Sequence, residues 1–211
     1  MMSELESIIT SRRTIRIPKS DPIDLERVYD ILKKASFAPY HSKVEPWSVT
    51  IASTLEEHQY FLKCVFESYE RNQILADYSD EKVKKIKEAY EKVMLHTPVS
   101  LIVATDVFQD EKKDLESICA TSTFIQNIQL LAWQKQIGAV WRTNPYILDD
   151  QFRDAFGIAA SKRIIGTVHL GYFDPDEVPE PKKRRPLHEW IGRVDETREF
   201  STYAANDERF K

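Results

Sequence analysis

Pro98 is followed by Val99-Ser100-Leu101-Ile102-Val103-Ala104, and this nearly continuous apolar run decides the class of fold. A strand with one face in water alternates apolar and polar residues. One that does not alternate is predicted to be a central strand covered on both faces. A second run of this kind, Ile164-Ile165-Gly166-Thr167-Val168-His169-Leu170-Gly171, predicts another buried strand, with Gly166 and Gly171 at its kink or end. Trp47–Ala52 and the stretch from Ala139 to Trp141 supply two further extended segments, rich in β-branched and aromatic residues.

Helices are predicted around these strands. Ser3 and Glu6 have the spacing of a capping box, and the helix they open should end near Arg12-Arg13-Thr14, because Pro18 follows. A second helix starts at Asp24, carries Leu25, Val28, Tyr29, Leu32 and Ala35 at helical spacing, and stops at Ala38-Pro39. Two more are expected over 55–70 and 80–96. The longest should cover 113–137, with Leu115, Ile118, Cys119, Ser122, Ile125, Ile128, Gln129 and Ala132 as its buried stripe and Gly138 as its C-cap. A short helix over Asp149–Phe156 should end at Gly157, and a polar helix is expected from Val194 onward. Helices outnumber strands, no repeat or flexible linker interrupts the chain, and the expectation is one α+β domain over residues 1–211 with a covered sheet.

The 211 residues suffice for a sizeable core. With 30 Lys and Arg against 34 Asp and Glu, the net charge is -4, so the chain lacks the overall basic field most nucleic-acid-binding domains carry. No apolar stretch approaches the length of a spanning helix, and the N-terminus has no secretory signal pattern. Cys64 and Cys119 cannot form a disulfide framework, which fits two reduced thiols in a cytoplasmic protein.

The five histidines are scattered, without metal-ligand spacing, and no GxSxG, GxxxxGK[ST] or GxGxxG occurs. An anion site must therefore be built from side chains, and three segments offer them. Arg12-Arg13-Thr14 with Arg16 places guanidiniums and a hydroxyl at a helix end, where they can grip a phosphate or simply complement the helix dipole. The loop Ala38-Pro39-Tyr40-His41-Ser42-Lys43-Val44-Glu45-Pro46-Trp47 holds polar groups between two prolines, as a ligand loop or a structural one does. Ile137-Gly138-Ala139-Val140-Trp141-Arg142-Thr143 leaves the long helix and presents Trp-Arg-Thr, with plain core as the alternative role of the indole. Read without reference to any family, these segments also suit a cofactor-free helical interaction module in which they are only structural.

Taken in order, RRT, the AP…H…PW loop, the long helix into GAVWRT and then IIGTVHLGY resemble the nitroreductase family, in its short single-domain branch, over about residues 5–190. The resemblance implies a three-layer fold, a central mixed sheet enclosed by helices with FMN at the dimer interface. It implies an NADH- or NADPH-dependent oxidoreductase, working by a ping-pong mechanism on nitroaromatics, quinones or other small electron acceptors, and a homodimer. By that resemblance Arg12, Arg13 and Thr14 hold the phosphate and polar edge of the flavin, with Arg16 as an added cation. Lys182 and Arg184 reach the phosphate, unless PKKRRP is only a solvated basic loop. His41 and Lys43 come from the partner subunit, and Trp141, Arg142 and Thr143 border the ring chiefly through backbone. Trp47 is packing. Glu45 stands where the family has glutamine, Thr14 where it has serine, and Ile137 where it has the first glycine of GxG. Residues 55–96 match no family pattern, although that region shapes the substrate opening in the family. Within the resemblance, the alternative to the enzyme is a flavin-binding protein with little turnover, a sensor or store.

Overall fold

The computed structural model describes residues 2–41 and 44–192, so the helix expected from Val194 lies outside the described residues. Two compact units divide at Pro179 and Glu180. The first contains α1 (Glu4–Ser11), α2 (Leu25–Ala35), β1 (Trp47–Ala52), α3 (Leu55–Arg71), α4 (Asp80–His96), β2 (Val99–Asp106), α5 (Glu111–Gln134), β3 (Ile137–Arg142), α6 (Asp150–Ala155) and β4 (Lys162–Tyr172). In the second, residues 180–192 are irregular apart from a 3₁₀ turn at Leu187–Glu189.

The sheet order is β1-β2-β4-β3, with every neighbouring pair antiparallel. Parallel pairing among the described residues is confined to an isolated bridge outside these strands, Thr14 with Ala139, so the four-stranded sheet is antiparallel where a mixed one was expected. Both apolar runs take the two central positions, as their lack of alternation requires. Register then sorts side chains into rows across the sheet. Trp141, Val168, Leu101 and Ile51 share one row and face, with Ala139, Leu170 and Val99 beside them. There they meet Val28, Ile31 and Ala35 of α2 and Phe124, Ile125, Ile128 and Ala132 of α5 in one core cluster. On the opposite face Ile102, Ala104 and Ile164 pack against Phe61 and Val65 of α3, Met94 of α4 and Phe152 of α6. Each buried side chain of this size is worth about 1.5–3 kcal/mol over exposure, so the two clusters fix helices on both sides of the sheet.

Local chemistry sets the helix ends. Ser3 with Glu6 and Thr54 with Glu57 both close capping boxes, and Asp24, Ser79 and Asp110 cap α2, α4 and α5 with their side chains. The long helix departs from expectation in two respects. It ends at Gln134, and Gln136, not Gly138, takes the left-handed conformation that closes it, at φ 58°. Gly138 lies inside β3, where a Cβ would sit 2.5 Å from the Ile15 side chain. The glycine is thus required by the close approach of the segment after α1. The predicted stripe holds only from Ile125 onward. Leu115 is 61% exposed and Cys119 is also exposed, whereas Ser117, Ala120 and Thr121 are buried. The cause is polar: Ser117 and Thr121 bond the Thr105 hydroxyl of β2, at 2.7 Å each, and so turn the first half of α5 away from its larger apolar residues.

Candidate functional site

Two of the three candidate segments meet. Ile15 donates its backbone N–H to Ala139 O at 3.2 Å beside the Thr14–Ala139 bridge, which lays Arg12-Arg13-Thr14 along β3. Arg12 and Arg13 are half-buried, Thr14 and Arg16 exposed. One Arg13 NH group donates to Thr10 O and Arg12 O at 2.8 Å, the carbonyl end of α1. The Arg13 Nε is buried and makes no hydrogen bond. Burying such a donor costs free energy unless a partner supplies the bond, so an acceptor arriving here gains more than it would at the open surface. An anionic group with several oxygens fits this donor set.

Trp141 and Arg142 project to opposite faces of β3. The indole N–H donates to Ile165 O at 3.4 Å, at the bulge where Val103 pairs with Gly166 and Ala104 with Ile164. A Cβ on Gly166 would collide with the indole, so this glycine is the one that seats Trp141 in the sheet. Backbone atoms and the exposed Thr143 remain for a ligand along that edge. The Arg142 side chain instead enters a cavity of about 170 Å³ lined by Ala89, Tyr90, Val93 and Met94 of α4 together with Tyr146 and His169.

His41 lies elsewhere. It is exposed and its Nδ1 is 3.5 Å from Glu116 Oε2, near the start of α5. The other end of α5 carries Trp133, whose indole N–H donates to Ser11 Oγ, next to Arg12, at 3.0 Å. Seventeen residues of one continuous helix separate these anchors (116 to 133), a distance of about 25 Å at 1.5 Å per residue. His41 and Arg12 of one chain are therefore far apart. Trp47 stacks on Phe124 with centroids 4.9 Å apart, which makes it a packing residue as expected. Glu45 is exposed. Lys43 lies outside the described residues. Lys182 and Arg184 are exposed in the second unit.

The interior holds a polar feature that the periodicity of its strands and helices does not announce. Five buried side chains form a continuous hydrogen-bonded chain, and its polarity is set at one end. His58 Nδ1 lies 2.9 Å from Thr54 O, which can only accept, so Nδ1 carries the proton and Nε2 accepts from Ser100 at 3.0 Å. Ser100 in turn accepts from His169 Nδ1 at 2.8 Å, leaving His169 Nε2 to accept from Thr167 at 3.2 Å. Thr167 accepts from the Tyr146 hydroxyl at 2.9 Å. Both imidazoles are neutral. Burial pushes His169 down to about 3, helped by Arg142 and His58, and burial likewise lowers His58. Burial also raises Tyr146 to about 12. The signal in the sequence is the set of polar residues, Ser100, Thr167 and His169, that interrupt two apolar strands.

Among the described residues no group of His, Cys, Asp and Glu could hold a metal ion, and no helix is long and apolar enough to cross a membrane. The protein provisionally named NAD(P)H nitroreductase YfhC of Bacillus subtilis (strain 168) is 35% identical over 187 residues, 89% of this chain and 92% of that protein. The crystal structure of a nitroreductase-like family protein from Bacillus cereus superposes with a TM-score of 0.80 at 26% identity, covering 93% of this chain and 98% of the other. A structure from Desulfovibrio desulfuricans, provisionally named a nitroreductase and solved in complex with FMN, shares the fold at a TM-score of 0.67 and 18% identity, over 90% of this chain and 96% of that one. The Nitroreductase family profile matches residues 9–172, the α1-to-β4 span that carries the RRT segment, the β3 edge and both cavity-facing strands, and the chain belongs to that family.

Proposed function

We propose that the chain is an FMN-dependent oxidoreductase that takes electrons from NADH or NADPH and reduces nitroaromatics, quinones or related small acceptors by a ping-pong mechanism. It works as a cytoplasmic homodimer, needs no nucleic acid or membrane, and functions as one domain over residues 1–211. The observation that carries the reading is the Thr14–Ala139 pairing, which sets two adjacent arginines, one with a buried unbonded Nε, against the edge of β3. Bound FMN supplies two-electron acceptance from a nicotinamide and return of those electrons to an acceptor. The protein supplies the binding and the electrostatics. Arg12, Arg13 and Thr14 hold the phosphate and polar edge, and Arg16 adds a cation. The backbone at Trp141, Arg142 and Thr143 borders the ring.

His41 and Lys43 of the partner subunit complete the site. The separation of about 25 Å along α5 supports this, since a single chain does not bring His41 to Arg12. Apolar side chains left open also support a covered face: Phe37 is 86% exposed, Val44 67% and Leu115 61%.

A flavin face shared in turn by nicotinamide and acceptor predicts parallel double-reciprocal plots when acceptor is varied at several NADPH concentrations. Intersecting lines would mean both substrates bind together, and the shared-face mechanism would be wrong.

A further inference from the structure

The cavity beside Arg142 has a composition of its own. Ala89, Val93 and Met94 give it apolar walls, Tyr90 and Tyr146 line it with phenol rings, and Arg142 and His169 complete the lining. His169 adds no charge, because its Nδ1 is engaged as a donor to Ser100 and its Nε2 as an acceptor from Thr167. Tyr146 directs its hydroxyl proton inward to Thr167. Tyr90 is tied by its hydroxyl to Tyr69, at 2.7 Å, and to Asn144. Arg142 is thus the single charge of the lining. It is half-buried and forms no ion pair or side-chain hydrogen bond among the described residues.

A guanidinium in such a setting has lost part of its hydration without gaining a counter-charge, and this favours an anion that brings one. The planar fork matches a carboxylate bidentately. An apolar cavity of about 150 Å³ admits benzene, so the volume of about 170 Å³ suits one substituted aromatic ring. A more highly charged anion would have one cation and apolar walls to satisfy it, which disfavours a phosphate. We infer that this cavity binds small aromatic carboxylates, the carboxylate on Arg142 and the ring between the α4 side chains and Tyr146. Used in catalysis, it makes Arg142 the residue that selects anionic aromatic acceptors. That use rests on the proposed function, whereas the binding does not.

The test is calorimetric titration of the purified full-length protein with benzoate, which cannot be reduced in this reaction, and with benzamide, its neutral counterpart. Benzoate is expected to bind one per chain, at least tenfold more tightly than benzamide. Arg142→Gln should weaken benzoate on the order of ten- to a hundredfold, the usual range for a hydrogen bond to a charged group, and leave benzamide affinity unchanged. Ala89 is an exposed helix position at the cavity mouth, so Ala89→Trp should fold normally and exclude both probes. Equal affinity for the two probes, benzoate binding indifferent to Arg142→Gln, or benzoate binding undisturbed by Ala89→Trp would each overturn the inference. A protein that binds benzoate in the expected pattern but no FMN would overturn the proposed function and leave this site standing.

Discussion

Arg12→Ala and His41→Ala homodimers are each expected to be defective in FMN binding, and dimers that pair one chain of each are expected to regain half of it. Loss of a charge-assisted bond from Arg12 costs about 1.5–3 kcal/mol, on the order of ten- to a hundredfold in affinity, with a smaller loss from His41. The rescue follows from geometry. In one chain the two residues sit beside α5 positions about 25 Å apart, His41 at Glu116 and Arg12 next to the Ser11 that bonds Trp133, so a site using both takes one from each subunit. In a mixed dimer one site then carries both lesions and the other neither. Half-stoichiometric flavin and half the activity should return. If both residues served from the same chain, every site would carry one lesion and nothing would be rescued. Isolated mixed dimers with no gain over their parents, or a monomer at micromolar concentration, would refute the shared site.

The second large effect concerns the buried imidazoles. His169 is held neutral down to about pH 3 in the fold, against 6.5 for an ordinary histidine, and His58 is lowered as well. Between these values the unfolded chain binds a proton that the folded chain refuses. Unfolding free energy should therefore be constant with respect to these groups above pH 6.5 and fall as pH drops below it. Each histidine contributes up to about 1.4 kcal/mol per pH unit. The lowered carboxylates, such as Glu57 and Asp149, add their own acid loss only at lower pH, so the window from pH 6.5 to 5 isolates the imidazoles. Urea unfolding across that window should show a slope that His169→Gln reduces. Identical slopes for wild type and variant would mean that His169 titrates normally in the fold.

The two central strands were legible because burial on both faces erases alternation, and the helix starts because Ser3, Asp24 and Thr54 cap them through local bonds. The buried side of the first half of α5 is not legible in the sequence, because its inward side chains, Ser117 and Thr121, are small and polar and answer to Thr105 on a different element. Gly138 looked like a C-cap by position, yet its role depends on Ile15, which only the fold brings beside it. The site shows the same division. The residues of the RRT and GAVWRT segments stood out as chemistry, but their meeting at Thr14 and Ala139 is long-range information that no spacing contains. The chain from His58 to Tyr146 likewise joins residues from α3, β2, β4 and the turn before α6, each unremarkable on its own.

The most direct test of the account is a spectrum. Protein reconstituted with excess FMN and desalted should remain yellow with one flavin per chain, and anaerobic NADH or NADPH should bleach the visible flavin absorption, with colour restored by an added quinone. A desalted protein that is colourless, or a yellow one that neither nicotinamide bleaches, would contradict it.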